Sequence, residues 1–417
     1  MTRLYMLGGF TTAYLWWLLV ATGPVPITLW GGQVDHVVSA LTLGILALAA
    51  LRNSRPRNKT LVTLVLLYWL TSVPSIFLSP SMPSAIRSFL VDIGYGGMFL
   101  LLTMLNVRDW RLCRYAALAA LITAEILLLY LRLFSDYSET VRFAIATDYA
   151  SLAEFSDDDR THADPNATAI GMVLTFLCAL PLLFSATLLR TKVTLVAALV
   201  LLIYASTLLL SRTSAVMISL VLLIVTLSLN RKSGPTHVTS RGGPWIITGM
   251  LLVVAMQALI PDGSFDALWT RFTYITEGEA QPTARIDLMT LALECFLSTP
   301  VTVGFGCGYA ATNPHNEFLR VLANSGALAF LVYCAILLRC YLVARNRARR
   351  FFQPVPLVEA MFWPFVFALL TYGHTKLYWV GLSLLWLVTD QVVVASRQFS
   401  PPASRSNLDR SFRVSRT

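Results

Sequence analysis

Charge is the scarce ingredient of this sequence. Only 13% of its 417 residues are Asp, Glu, Lys or Arg, against 56% hydrophobic. Soluble domains enclose their apolar segments in a polar shell, and this chain has too little polar surface to make one. A soluble globular fold is thereby excluded. Metal-ligand spacing is missing too. None of the six cysteines stands in a CxxC pair and the five histidines are scattered, so no zinc site is expected. The first apolar segment lacks the signature of a cleaved leader and reads as a retained span. Gly304, Gly306 and Gly308 follow no strand and precede no Lys-Ser/Thr pair, so they read as a tight turn and not as a nucleotide loop. No inverted repeat is visible.

What is present is a series of long apolar segments. About twelve can be marked, nearly all long enough to cross the hydrocarbon as helices, including 60–78, 89–105, 214–229, 326–343, 357–371 and 379–395. Barrel strands are shorter and alternate in polarity, so the expected fold is all-α and polytopic. Residues 1–131 hold the first five helices, 167–260 the sixth to ninth and 326–396 the last three, with 397–417 a disordered cytoplasmic tail. With the N-terminus inside, all but nine of the 32 Lys and Arg residues fall on the cytoplasmic side. That bias places both termini there. The basic clusters explain most of the net charge of +10 and read as topology signals and membrane-lipid contacts, not as a nucleic-acid surface.

Two outer connections are long, 132–166 and 261–325. The first contains Asp157-Asp158-Asp159-Arg160 and the helix-start sequence Asp164-Pro165-Asn166. In the second, 285–297 reads as a helix lying at the membrane interface, with Ile286, Met289, Leu293 and Phe296 on one face. Cys295 and Cys307 are the two cysteines that share this outer side.

The chemistry-bearing residues converge on the same side. His315 follows Asn313-Pro314, and Pro314 disfavours helix before it, so a helix is expected to begin around His315, with Leu319 and Leu322 near it on one surface. Glu317 and Arg320 are spaced for an i,i+3 pair. An imidazole near neutral pKa suits proton transfer from a sugar hydroxyl, while helix capping is its structural alternative. Arg212 sits at a turn between spans, and its planar fork suits a phosphate as well as it suits snorkelling. Arg285 opens the interfacial helix. Together Arg212, Arg285 and His315 form a reasonable catalytic set for a departing diphosphate and an incoming hydroxyl. Arg160, Asn166, Arg271, Asn316 and Arg320 are the accompanying substrate-binding candidates. Arg160 also has obvious local ion-pair partners in Asp157, Asp158 and Asp159. Asp92 and Glu125, inside spans, mark either an ion pathway, as in a transporter, or residues hydrogen-bonded to neighbouring helices.

Ser211-Arg212, the Arg285 helix, Pro300 with Gly304-x-Gly306-x-Gly308, and His315-Asn316 with Gly326 make the chain resemble the O-antigen polymerase and O-antigen ligase superfamily (Wzy and WaaL, sharing the Wzy_C region). The Arg160–Gly171 and His315–Gly326 spacings are similar to polymerase outer-loop patterns. The resemblance implies a GT-C-like fold and metal-independent glycosyl transfer, without cofactor, at the outer face of the bacterial inner membrane. The donor it implies is an undecaprenyl diphosphate-linked glycan. The acceptor is a second lipid-linked repeat unit in a polymerase, or lipid A-core in a ligase. A flippase and a chain-length regulator are the implied protein partners. The compact 286–314 interval favours the polymerase.

Overall fold

The computed structural model describes residues 28–29, 32–33, 58–104, 170, 173, 189–190, 192–193, 196–197, 200, 212–230, 281–350, 355–372, 377–379, 381–383 and 385–386. The segments expected at 5–22, 34–51, 115–131 and 245–260, and the whole of 132–166, lie outside the described residues.

Among the described residues the fold is all-α apart from one small antiparallel pair, β1 (Thr28–Leu29) and β2 (Gly32–Gln33). The helices are α1 (Lys59–Phe77), α2 (Met82–Met104), α3 (Arg212–Asn230), α4 (Gln281–Leu297), α5 (Pro300–Phe305), α6 (Glu317–Arg350) and α7 (Val355–Thr371). Among the described residues, Lys59–Phe77, Met82–Leu101 and Glu317–Asn346 are long and apolar enough to cross a membrane, and Val358–Thr371 is a shorter apolar helix. These are the elements of a polytopic membrane protein.

Local sequence explains where they start. Asn58 caps α1, its Oδ1 accepting from the Leu61 amide at 3.3 Å. The second described span begins seven residues before the expected 89, at Met82, because Pro83 presets the first helical turn. Hydrophobicity finds the apolar middle of that helix and passes over its start. α6 likewise begins before the expected 326 and continues through the basic run to Arg350, where Ala and Arg favour helix beyond the apolar stretch. Gly326, at φ 81°, breaks α6 into two parts.

α1 packs on α2 and α6, and α7 packs on α3 and α6. An aromatic layer fills the centre. Tyr333 and Tyr378 stack at 3.8 Å between ring centroids, Tyr68 lies 5.9 Å from Trp379, and Phe99 lies 5.8 Å from Trp379. The Tyr378 hydroxyl donates to the Tyr333 carbonyl at 2.9 Å. Gly96 is what lets Trp379 approach α2, since a Cβ there would press on Trp69 and Trp379. At the far end of α6, Glu359 accepts from Tyr341 at 2.8 Å and from Trp363 Nε1 at 2.9 Å, with Arg345 at 3.3 Å.

Candidate functional site

The site is built where the chain turns from α5 into α6. Pro314 is buried, and His315 is half-buried with φ 51°. Few residues other than glycine hold the left-handed region, and such outliers gather where function demands them. Asn316 then caps the helix: its Oδ1 accepts from the Leu319 amide at 3.1 Å and its carbonyl from the Arg320 amide at 2.8 Å. α6 therefore starts at Glu317, two residues beyond the expected start around His315. The reason is local: the left-handed turn at His315 reverses the backbone before Asn316 supplies the cap. His315 consequently does not share a helical face with Leu319 and Leu322, which pack instead against Ala292 and Phe296 of α4.

The i,i+3 pair forms as its spacing predicts. Arg320 donates twice to Glu317, Nε to Oε2 at 2.7 Å and Nη2 to Oε1 at 2.6 Å. The Glu317 side chain is fully buried and that of Arg320 is 11% exposed, so each charge depends on the other. Glu317 also lies at the positive end of the α6 dipole.

The connection from α4 to His315 is fastened at several points. Thr299 and Thr302 form a capping box that starts α5. Cys295 of α4 and Cys307 form a disulfide, with Cα atoms 6.0 Å apart. The break at Gly326 leaves nearby α6 carbonyls without helical donors, and the Cys307 amide donates to one of them, Ala323 O, at 2.7 Å. Asn324 is buried and devoted to Thr312. Its Oδ1 accepts from the Thr312 amide at 2.9 Å and hydroxyl at 2.7 Å, and its Nδ2 donates to the Thr312 carbonyl at 2.9 Å. Two of the three glycines, Gly306 and Gly308, make the tight turn, whereas Gly304 lies inside α5. Gly306 (φ 83°) lies against the Asn324 backbone, and Gly308 (φ 127°) against Ser79 at the end of α1.

Tyr309 carries the connection into the bundle. Its amide donates to Ser75 O of α1 at 2.9 Å, and its carbonyl accepts from Ser79 Oγ at 3.2 Å. Its ring meets Phe89 of α2 edge-on at 5.4 Å. Burial pushes the Tyr309 phenol well above the ordinary tyrosine range; the nearby Asp92 carboxylate and Tyr68 add to this, and Arg320 opposes it. Asp92 accepts from Trp379 Nε1 at 2.5 Å, so its link to a neighbouring helix is the hydrogen-bonded arrangement weighed above. Glu125 lies outside the described residues.

The other candidate residues are placed as follows. Arg212 is the first residue of α3, and Arg285 lies in the first half of α4; their side chains are outside the described part of the structure. Arg160, Asn166 and Arg271 lie outside the described residues altogether. Among the described residues, no group of three or more His, Cys, Asp or Glu side chains is arranged to hold a metal ion. Compared with known proteins, the chain matches no family model and no curated protein. Two site-building residues escaped the sequence reading, Asn324 and Tyr309. The polar Asn324-Ser325-Gly326 triplet before an apolar run was the available signal for the first. Tyr309 has no such signal, because its partners come from α1 and α2.

Proposed function

We propose that the protein is a polysaccharide polymerase, of O-antigen or exopolysaccharide, acting at the outer face of the bacterial inner membrane. It transfers a glycan from undecaprenyl diphosphate to a lipid-linked repeat-unit acceptor. The observation that carries this reading is His315, held in a left-handed backbone on a connection locked to α1, α4 and α6. Orienting an imidazole in this way is the preparation that transfer from a bound hydroxyl needs. The acceptor hydroxyl oxygen forms the new bond to the anomeric carbon as the bond to the diphosphate breaks. His315 receives or orients the hydroxyl proton, and Arg212 and Arg285 stabilise the charge on the departing diphosphate. Two further features support the reading. A disulfide persists in an oxidising compartment, as the outer side is. The same disulfide joins the helix bearing Arg285 to the connection bearing His315.

The test supplies purified protein with a polyprenyl diphosphate-linked repeat unit alone. A ladder of longer glycans with release of polyprenyl diphosphate is expected. No extension, with transfer only after lipid A-core is added, assigns the same site to a ligase; no transfer in either case rejects glycan transfer. Backbone and chemistry are separated by substituting His315→Asn and His315→Gly. Both residues accept the left-handed conformation, so both variants are expected to fold and to bind donor while losing turnover. Full turnover in either would remove His315 from the chemistry. Arg212→Lys and Arg285→Lys keep charge and lose the bidentate fork, and each is expected to lose roughly 2–4 kcal/mol of transition-state stabilisation.

A further inference from the structure

α4 is apolar over far more of its circumference than its packing uses. With 100° per residue, Ala292 and Phe296 define the buried side, facing Leu319, Leu322, Ala323 and Ala327 of α6. Two further apolar flanks stand outside that contact. On one, Ile286, Leu293 and Leu297 fall within about 40° of each other, and they are 59%, 42% and 66% exposed. On the other, Leu288 and Leu291 are 38% and 58% exposed. Over 286–297 the polar residues form a narrow ridge between the flanks, carrying Asp287, Thr290 and Glu294. The apolar arc thus covers about 240°, against the ~100° stripe that suffices to pack a helix on a protein core. The interfacial face expected from the sequence is therefore divided: Phe296 and Met289 turn toward the protein, while Ile286 and Leu293 turn away.

We infer that α4 is sunk into the outer membrane leaflet on both flanks, with the Asp287–Glu294 ridge facing water, and that this helix sets the depth of the His315 connection at the lipid headgroups. Three observations choose lipid over a protein partner. A rigid partner surface covers one flank, whereas the two flanks lie on opposite sides of a polar ridge; fluid acyl chains cover both. α4 packs where α6 begins its apolar span, so it already lies at a membrane boundary. The exposed apolar surface continues along the chain into α5, whose Val301 and Phe305 are 54% and 38% exposed. The driving force is apolar burial, because α4 carries one basic residue, Arg285, against Asp287 and Glu294, and so has no net positive charge to attract anionic lipid. The inference does not depend on glycan transfer. It restricts any ligand of the His315 region to one whose polar group sits at headgroup level.

Spin labels provide the test. Leu291→Cys, Leu297→Cys and Glu294→Cys are made separately in the full chain, keeping the Cys295–Cys307 disulfide and replacing the remaining cysteines. Each is labelled in nanodiscs of zwitterionic lipid and again in nanodiscs with anionic lipid. Labels at Leu291 and Leu297 are expected to be relaxed by oxygen several-fold more than by a water-soluble nickel chelate. The label at Glu294 is expected to show the reverse, and the pattern is expected to be the same in both lipids. A nickel-accessible label on either flank overturns the inference, as does a flank label shielded from both reagents, which is the result a protein partner or second copy gives. Ile286→Cys repeats the first flank should Leu297→Cys not fold.

Discussion

Asn324→Ala is the substitution that most directly tests whether the connection carrying His315 is held as one unit. The side chain makes three hydrogen bonds to Thr312, at 2.9, 2.7 and 2.9 Å. At about 1 kcal/mol net for each, their loss weakens closure of the connection by about 3 kcal/mol. Since 1.4 kcal/mol is a factor of ten, local opening becomes roughly 100-fold more frequent. Hydrogen exchange in nanodiscs reads this at two amides that make no hydrogen bond to the Asn324 side chain: Tyr309, bonded to Ser75 O at 2.9 Å, and Cys307, bonded to Ala323 O at 2.7 Å. Both are expected to exchange roughly 100-fold faster, while amides in the middle of α1 keep their rates. Thr312→Val removes only the hydroxyl bond, worth about 1 kcal/mol, so a roughly fivefold effect is expected at the same reporters. Unchanged protection at Tyr309 in Asn324→Ala would refute the reasoning, because the clamp would then be decoration on a connection held elsewhere.

Other predictions follow from the same geometry. Gly326→Ala places a Cβ against the Gly304 carbonyl in a left-handed backbone, so it is expected to destabilise by more than about 2 kcal/mol, read as a lowered midpoint of thermal unfolding in detergent. Closing a ring of about a dozen residues is worth roughly 3 kcal/mol, so Cys295→Ser with Cys307→Ser is expected to lower thermal stability by about that much while leaving transfer measurable. Tyr309 is neutral when buried and has its phenol raised, so its contribution is complete below the ordinary tyrosine range and is lost as pH climbs from there through the raised value. Wild-type exchange at Cys307 is therefore expected to accelerate at strongly alkaline pH beyond the intrinsic chemical rate, and Tyr309→Phe, which has no phenolate to form, is expected to remove that excess.

The sequence by itself determined the elements whose signal is short in range. Hydrocarbon thickness demands a long apolar run, so the span over 60–78 and the apolar helices over 214–229 and 357–371 were legible to within a few residues. Helical spacing was enough for the Glu317–Arg320 pair and for the existence of α4. Side-of-membrane reasoning isolated Cys295 and Cys307, the two that form the disulfide. Tertiary structure decided the rest. Ile286, Leu293, Met289 and Phe296 share a hydrophobic pattern, and only the position of α6 divides them into exposed and packed. The Asp92–Trp379 bond spans 287 residues of sequence, and Asn324 finds Thr312 only because Gly306 and Gly326 let the two backbones meet. Periodicity records which way a side chain leaves its own helix. It carries no record of how separate helices cross or in what register they touch, and those relations select the partner of each buried polar group.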